Sequence, residues 1–157
     1  MGGKYIIMKR QRVRVTKKFS FDMAHALYGY DGPCKNIHGH TYHLSVTLRG
    51  QLIQDTQNPK QGMVIDFGNL KELVSDRILK NYDHALVINE KAPYATMEGL
   101  FQQFEKVIHV AFQPTCEQLL LHFVDELKSA LHDSFELYAV RLEETPNSFA
   151  EWCVEDN

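Results

Sequence analysis

Two segments of this 157-residue chain alternate apolar and polar residues with a period of two. Between residues 11 and 25 the apolar side chains fall mainly at odd positions, and between residues 38 and 48 at even positions. Because successive side chains of a strand point to opposite faces of its sheet, this period predicts half-buried β-strands. We therefore expect a strand pair over about residues 11–23 and 40–54, with one face of the pair turned toward a core.

Three histidines continue the inward faces of these strands. His25 keeps the odd phase of the first strand, and His38 and His40 keep the even phase of the second, whereas His43 points the other way. Side chains two apart in a strand lie about 6.5–7 Å apart on one face, so they can close on a single metal ion. Three neutral imidazoles with an open position are typical of a catalytic zinc site, and Cys34 adds a free thiol nearby. The alternative for each histidine alone is a hydrogen-bonded, partly buried side chain.

Length and composition predict one domain over residues 1–157, with a hydrophobic content of 44% that suits a single core. No apolar run approaches the ~20 residues of a membrane span, and the apolar patch at 5–8 is too short for a signal peptide. The cysteines Cys34, Cys116 and Cys153 lack the spacing of a disulfide framework, which fits a reducing compartment. We therefore expect a cytoplasmic protein without a membrane partner.

Basic residues are concentrated at the start of the chain, although the formal net charge is −3. Seven of the 17 lie within the first 18 positions: Lys4, Lys9, Arg10, Arg12, Arg14, Lys17 and Lys18. The arginines alternate with valines as the solvated face of a strand does, and no base-stacking aromatic residues interleave with them. The sequence therefore predicts no nucleic-acid partner, and it leaves a small polyanionic ligand open.

Two helices and a second pair of strands are predicted in the rest of the chain. Asp66 is a candidate N-cap of a helix that ends near Asn81, and Thr115 with Gln118 fits a capping box that opens the second helix. The predicted apolar stripes are Leu70, Leu73, Val74 and Ile78 in the first helix and Leu119, Leu120, Phe123, Val124, Leu127 and Leu131 in the second. Residues 137–145 and 149–154 fit a hairpin, and residues 89–113 have no clear period.

These elements predict an α+β fold in which two helices cover one face of a four-stranded antiparallel sheet. Such a subunit leaves strand edges unpaired and its other face exposed. Oligomerisation is the expected remedy.

Acidic residues and one further histidine suggest a second cluster of chemistry. Asp83 and His84 are a candidate acid/base pair, since a carboxylate can steady an imidazole tautomer, although a helix-terminal turn explains the same dipeptide. Glu144 continues an inward row of Tyr138, Val140 and Leu142, and its carboxylate could accept two parallel hydrogen bonds from a guanine or pterin edge, or reach water or an arginine. Glu117 fits simple stabilisation of a helix N-terminus.

Several short motifs occur in an order that resembles the 6-pyruvoyl-tetrahydropterin synthase superfamily. They are Phe19-Ser20-Phe21 leading to His25, Cys34-x-x-x-His38-Gly39-His40, Asp66-Phe67, Tyr82-Asp83-His84, Pro114-Thr115-Cys116-Glu117 and Glu144-Thr145. Three residues between the thiol and the histidine pair resemble the carboxy-forming branch, which belongs to the 7-deazaguanine pathway leading to queuosine. Cys116 and Gln118 depart from the residues common in that superfamily.

The resemblance implies the tunnelling fold (T-fold), in which subunits close into a barrel, usually as a trimer-based homohexamer, with sites between subunits. It implies Zn²⁺ held by His25, His38 and His40, with Cys34 as the thiol base. Asp83 with His84 would be the partner acid/base, Glu144 the anchor of the pterin ring, and Glu117 and Thr115 neighbours of the pterin. The implied reaction is that of a lyase converting 7,8-dihydroneopterin triphosphate to 6-carboxytetrahydropterin, acetaldehyde and triphosphate. The alternatives are a pyruvoyl-forming synthase and a non-catalytic zinc- or pterin-binding module.

Overall fold

A long antiparallel strand pair positions the candidate site. The computed structural model describes residues 11–96, 99 and 101–157, so the basic residues Lys4, Lys9 and Arg10 lie outside the described part. Strands β1 (Arg12–Ala26) and β2 (His38–Gln51) pair along their whole length, with His25 opposite His38. The predicted strand pair is confirmed, and its bounds differ from the prediction by up to three residues.

The sheet has six strands instead of the expected four, because two short strands extend it. Strand β3 (Ala85–Asn89) runs parallel to β1, and β4 (Val107–Val110) runs parallel to β3. With β5 (Glu136–Thr145) and β6 (Ser148–Cys153) the sheet has the order β4-β3-β1-β2-β5-β6, of which the last four are antiparallel. Short buried strands such as β3 lack a period that distinguishes them from other apolar segments, so the sequence did not predict them.

A bulge in β5 corrects one further prediction. Thr47 pairs with Ala139 while Leu48 pairs with Leu137, which leaves Tyr138 as an extra residue. Tyr138 therefore does not share the inward row that leads to Glu144, and the guanidinium carbons of arginines lie against its ring instead. A bulge shifts the side-chain phase by one residue, and alternation alone does not show where it occurs.

Both predicted helices are present, with the predicted N-caps. The first comprises α1 (Phe67–Val74), a π-helical turn (Ser75–Leu79) and α2 (Lys80–Tyr82), and the Asp66 carboxylate accepts the Gly68 N–H. In α3 (Cys116–Ala130) the Thr115 hydroxyl accepts the Gln118 N–H at 3.3 Å. The second half of the capping box is replaced, since the Thr115 N–H donates to the Gln113 carbonyl.

The helices pack on one face of the sheet and enclose the core. Its fully buried side chains come from both predicted stripes and from the inward rows of the strands: Tyr42, Leu44, Val46, Leu48, Leu70, Val74, Ile78, Leu119, Phe123, Leu127, Val140 and Leu142. The outward rows of β1 and β2 are largely exposed and polar, as the alternation predicted. None of the helices in the described part of the chain is both long and apolar enough to span a membrane.

Candidate metal centre and its surroundings

The three predicted histidines meet where β1 ends and β2 begins. His25, His38 and His40 each offer a ring nitrogen within 4.8 Å of the other two, and their ring centroids are 4.5–5.3 Å apart. Gly39 lets the strands approach between the ligands, because a Cβ atom there would lie 3.1 Å from the Met23 carbonyl oxygen. The register of the strand pair therefore creates the histidine cluster.

Hydrogen bonds at the outer nitrogens prepare these rings for a cation. His25 Nδ1 lies 2.7 Å from the Pro114 carbonyl oxygen and His38 Nδ1 lies 2.8 Å from the Asn36 carbonyl oxygen. Carbonyl oxygens only accept, so both Nδ1 atoms carry the proton and both Nε2 atoms present a lone pair. Within the described residues, the buried Nε2 of His40 has no hydrogen-bond partner.

Burial holds the pKa of His25 below its usual range. The ring therefore stays neutral, as a metal ligand requires. The fixed tautomers and the unpartnered nitrogen of His40 fit a divalent cation bound by three imidazoles. The chemistry of this donor set suits zinc, with room for further ligands.

Cys34 lies in a pocket beside the histidines. The short 3-10 helix Pro33–Lys35 carries it, and its carbonyl oxygen accepts the Leu27 N–H at 3.0 Å. Among the described residues, the side chains close enough together to hold one metal ion are the three histidines, and Cys34 is not in this group. The pocket has a volume of about 330 Å³, and its polar or reactive lining residues are His25, Tyr30, Cys34, His38, Thr115, Cys116, Glu117, Glu144 and Ser148.

Glu144 reaches the histidine cluster from β5. Its Oε1 accepts a hydrogen bond from the Tyr42 hydroxyl at 3.0 Å and lies 3.5 Å from His25 Nε2 and 3.9 Å from His40 Nε2. The inward placement predicted for this carboxylate is confirmed. Tyr42 belongs to the even-numbered inward row predicted for residues 38–48, and its position two residues after His40 on that face is the sequence signal that it lies near the histidines.

Asp83 and His84 lie on the other face of the strand pair. His84 Nδ1 is 3.0 Å from Asp83 Oδ1, and that oxygen also accepts the Asp22 N–H at 3.1 Å. The His84 backbone has φ 61°, in the left-handed region, and its N–H donates to the Asp22 carbonyl at 2.7 Å. Backbone bonds to β1 therefore hold this turn, while 75% of the His84 side chain stays exposed.

The described residues do not bring all the predicted site residues together. His84 lines a cleft of about 970 Å³ with the outward residues Asp22 and Thr41 and with the candidate ligand His40. Cys34 lines the pocket on the helix side, together with His25 and His38. The predicted thiol base and its predicted acid/base partner thus occupy separate cavities of one chain. Sequence order could not show this, because it does not fix on which face of the sheet a turn emerges.

Two residues that support the site were not predicted. The Gln113 side chain bonds both backbone groups of Tyr28, accepting the N–H at 3.1 Å and donating to the carbonyl at 2.6 Å, and so fixes the loop that leads to Cys34. Cys116 donates to the Leu142 carbonyl, and burial raises the pKa of its thiol to about 11. Cys116 is therefore a neutral packing residue at neutral pH.

Comparison with known proteins identifies the family. The sequence profile described as 6-pyruvoyl tetrahydropterin synthase matches residues 14–154, which include every candidate site residue. The chain belongs to the 6-pyruvoyl tetrahydropterin synthase family. The resemblance of the motifs to this family is therefore confirmed.

Within the family, the chain is similar to proteins named 6-carboxy-5,6,7,8-tetrahydropterin synthase. The protein of that name from Haemophilus influenzae is 40% identical over 142 residues, which cover 88% of this chain and 97% of the relative. The one from Rickettsia felis is 30% identical over 146 residues, covering 88% of this chain and 99% of the relative. Family members of this kind are enzymes.

Solved structures show that the fold is that of the family. The 6-pyruvoyl tetrahydropterin synthase of Caenorhabditis elegans superposes with a TM-score of 0.66 at 27% identity, covering 93% of this chain and 99% of that one. The protein WS1659 of Wolinella succinogenes superposes with a TM-score of 0.74 at 20% identity, covering 92% and 99%. The chain therefore has the T-fold that its family shares.

Proposed function

We propose that this chain is a zinc-dependent 6-carboxy-5,6,7,8-tetrahydropterin synthase, a cytoplasmic lyase that acts on 7,8-dihydroneopterin triphosphate. The observation that carries the proposal is the cluster of three histidines, two of them with fixed tautomers, beside the thiol of Cys34. The name of the Haemophilus influenzae relative supports the carboxy-forming reaction over the pyruvoyl-forming one. The product would enter 7-deazaguanine and queuosine biosynthesis.

Substrate recognition is assigned to the pocket around Glu144. The planar N–H donors of the pterin edge match the two oxygens of a carboxylate, and Glu144 lies within the pocket that Cys34 lines. Thr115 and Glu117 line the same pocket at the start of α3. Lys17 and Lys18 are candidates for the triphosphate, because they are cations of β1, the strand that carries His25.

The proposed chemistry divides between the thiol and the acid/base pair. Bound zinc would supply a Lewis acid that makes C–H bonds beside the substrate's side-chain oxygens acidic. Cys34 takes a proton from one side, and His84, steadied by Asp83 at 3.0 Å, exchanges protons on the other. Triphosphate leaves by elimination, a retro-aldol-like step releases acetaldehyde, and one water molecule supplies the second carboxyl oxygen.

A subunit interface is the proposed meeting place of these residues. Cys34 and His84 line different cavities of one chain, so a single subunit does not offer both to one substrate. We propose a homohexamer built from trimers, in which a second subunit brings its Asp83 and His84 to the Cys34 pocket. Among the described residues, β4 and β6 are the outermost strands of the sheet, and their outer edges give it a surface for such contacts.

Product analysis tests the proposal. Purified, zinc-loaded protein is incubated with 7,8-dihydroneopterin triphosphate, and the products are identified by mass. 6-Carboxytetrahydropterin and acetaldehyde in equal amounts support it. A pyruvoyl product without acetaldehyde assigns the rival synthase activity, for which the Caenorhabditis elegans relative is named. Pterin binding without any product assigns a non-catalytic module.

A further inference from the structure

The Tyr42 hydroxyl stands between the histidine cluster and Glu144. The side chain is fully buried, and its ring stacks on Phe21 with centroids 5.5 Å apart. Its hydroxyl lies 3.0 Å from Glu144 Oε1 and 3.5 Å from His25 Nε2. Both neighbours belong to the candidate site, although Tyr42 itself does not line the Cys34 pocket.

This hydroxyl has one proton and two competing acceptors. His25 Nδ1 is committed as a donor to the Pro114 carbonyl, so His25 Nε2 presents a lone pair to Tyr42. The Glu144 carboxylate oxygen that faces the hydroxyl is the second acceptor. Without a cation, the Tyr42 proton can therefore be donated to either of the two acceptors, and donation to one excludes the other.

A cation on His25 Nε2 uses the lone pair that competes for this proton. Among the described residues, Glu144 is then the one acceptor left within reach of the Tyr42 hydroxyl. We propose that Tyr42 is a positioning residue that couples metal occupancy to the orientation of the Glu144 carboxylate. Metal binding thereby holds the Glu144 carboxylate in the orientation that binds the pterin ring. This inference rests on the proposed function, since it assumes that the histidines hold a cation and that Glu144 receives the pterin.

Thermodynamic linkage makes the coupling measurable. If a cation strengthens binding of the pterin ring, the ring strengthens binding of the cation by the same factor. The probe is unsubstituted pterin, which lacks the side-chain oxygens that could contact the metal directly. A hydrogen bond to a charged group predicts that zinc strengthens pterin binding by about tenfold in the unaltered protein.

The experiment measures the dissociation constant of pterin by fluorescence titration, with and without zinc, in the full-length protein and its variants. Tyr42→Phe keeps the ring and its stacking on Phe21 but removes the hydroxyl, and we expect the zinc effect to fall to threefold or less. Tyr82→Phe is the matched control, because Tyr82 is also buried and its hydroxyl pairs with a histidine, His122 at 2.7 Å, outside the Cys34 pocket. It should retain the tenfold effect.

Glu144→Gln is the second variant, since this side chain is at the pocket surface and its replacement leaves the core intact. It should also lose the zinc effect on pterin binding. The proposal is overturned if Tyr42→Phe retains the tenfold effect, or if zinc has no effect on pterin binding to the unaltered protein. Absence of product from dihydroneopterin triphosphate instead overturns the proposed function, and that assay is independent of the binding ratio.

Discussion

The two ends of the β1–β2 pair are built from the same alternating pattern but use their polar side chains differently. At the end near residue 12, Arg12 and Arg49 both bond the Glu136 carboxylate, at 2.8 Å and 2.7 Å, and Arg49 also reaches Glu155 at 3.1 Å. These charges are paired within the chain. At the other end, the histidines present nitrogen atoms to one another, and the buried Nε2 of His40 lacks a partner among the described residues.

The difference separates a stabilising end from a binding end. Charges that satisfy each other at a surface contribute modestly to stability and need no ligand. Lone pairs that converge on one point form a binding site for a cation. A buried polar atom without a partner costs free energy, and a bound cation removes that cost. The comparison predicts that changes at the histidine end alter ligand binding and activity, whereas changes at the arginine end alter stability alone.

The largest effect is expected from removal of a histidine ligand. His38→Ala should weaken zinc binding by more than about 100-fold, the upper limit of losing only an outer-shell partner, and turnover should fall with it. Zinc content after dialysis and a competition titration with a chelator measure the change. His43→Ala is the control, because His43 lies on the same strand with its side chain on the exposed face. Equal zinc loss in both variants would contradict the assignment.

The thiol distinguishes a catalytic pocket from a structural metal site. Cys34→Ala should lower the rate of product formation by about 10²–10⁴-fold, as expected for loss of a general acid or base, while zinc stays bound. Cys153→Ala, which changes a cysteine outside the pocket, should keep both properties. Loss of zinc from the Cys34 variant would show that the sulfur is a fourth ligand and that the histidine end is a structural metal site.

Mixing two inactive variants tests whether one site draws on two subunits. Cys34→Ala and His84→Ala should each be inactive alone. Suppose that a site takes its thiol from one subunit and its imidazole from another. Random reassembly of equal amounts of the two variants should then restore about one quarter of the rate of the unaltered protein. Reassembly after mild denaturation, followed by the product assay, measures this fraction. Absence of recovery in mixed oligomers verified by mass would refute the shared site.

The smallest effect is expected at the arginine end. Hydrogen bonds from Arg49 hold the pKa of Glu136 below its ordinary value of 4.5. The ionised carboxylate therefore contributes stability above about pH 4.5, and this contribution disappears as the pH falls through the lowered pKa. Glu136→Gln should slightly lower the urea midpoint at neutral pH, and the difference from the unaltered protein should shrink as the pH falls through the lowered pKa. Its zinc affinity and activity should match those of the unaltered protein, and any change in either would break the comparison.

The sequence predicted the histidine end well because local geometry decides it. Alternation fixes the face of every strand residue, so the inward placement of His25, His38, His40 and Glu144 followed from counting positions. The same reasoning was wrong for Tyr138, because a bulge interrupts the phase of β5. The caps Asp66 and Thr115 were also predictable, since each bonds a backbone N–H only two or three residues away.

By itself, the sequence determined which side chains share a face, where helices begin and which residues could bind a metal, because these properties depend on spacings of a few residues. Only the tertiary structure decided that β3 and β4 join the sheet in parallel, that Tyr42 bridges His25 and Glu144, and that Cys34 and His84 open into different cavities. These relations join residues that are distant along the chain. They are set by the packing of complete elements, which no local pattern of residues encodes.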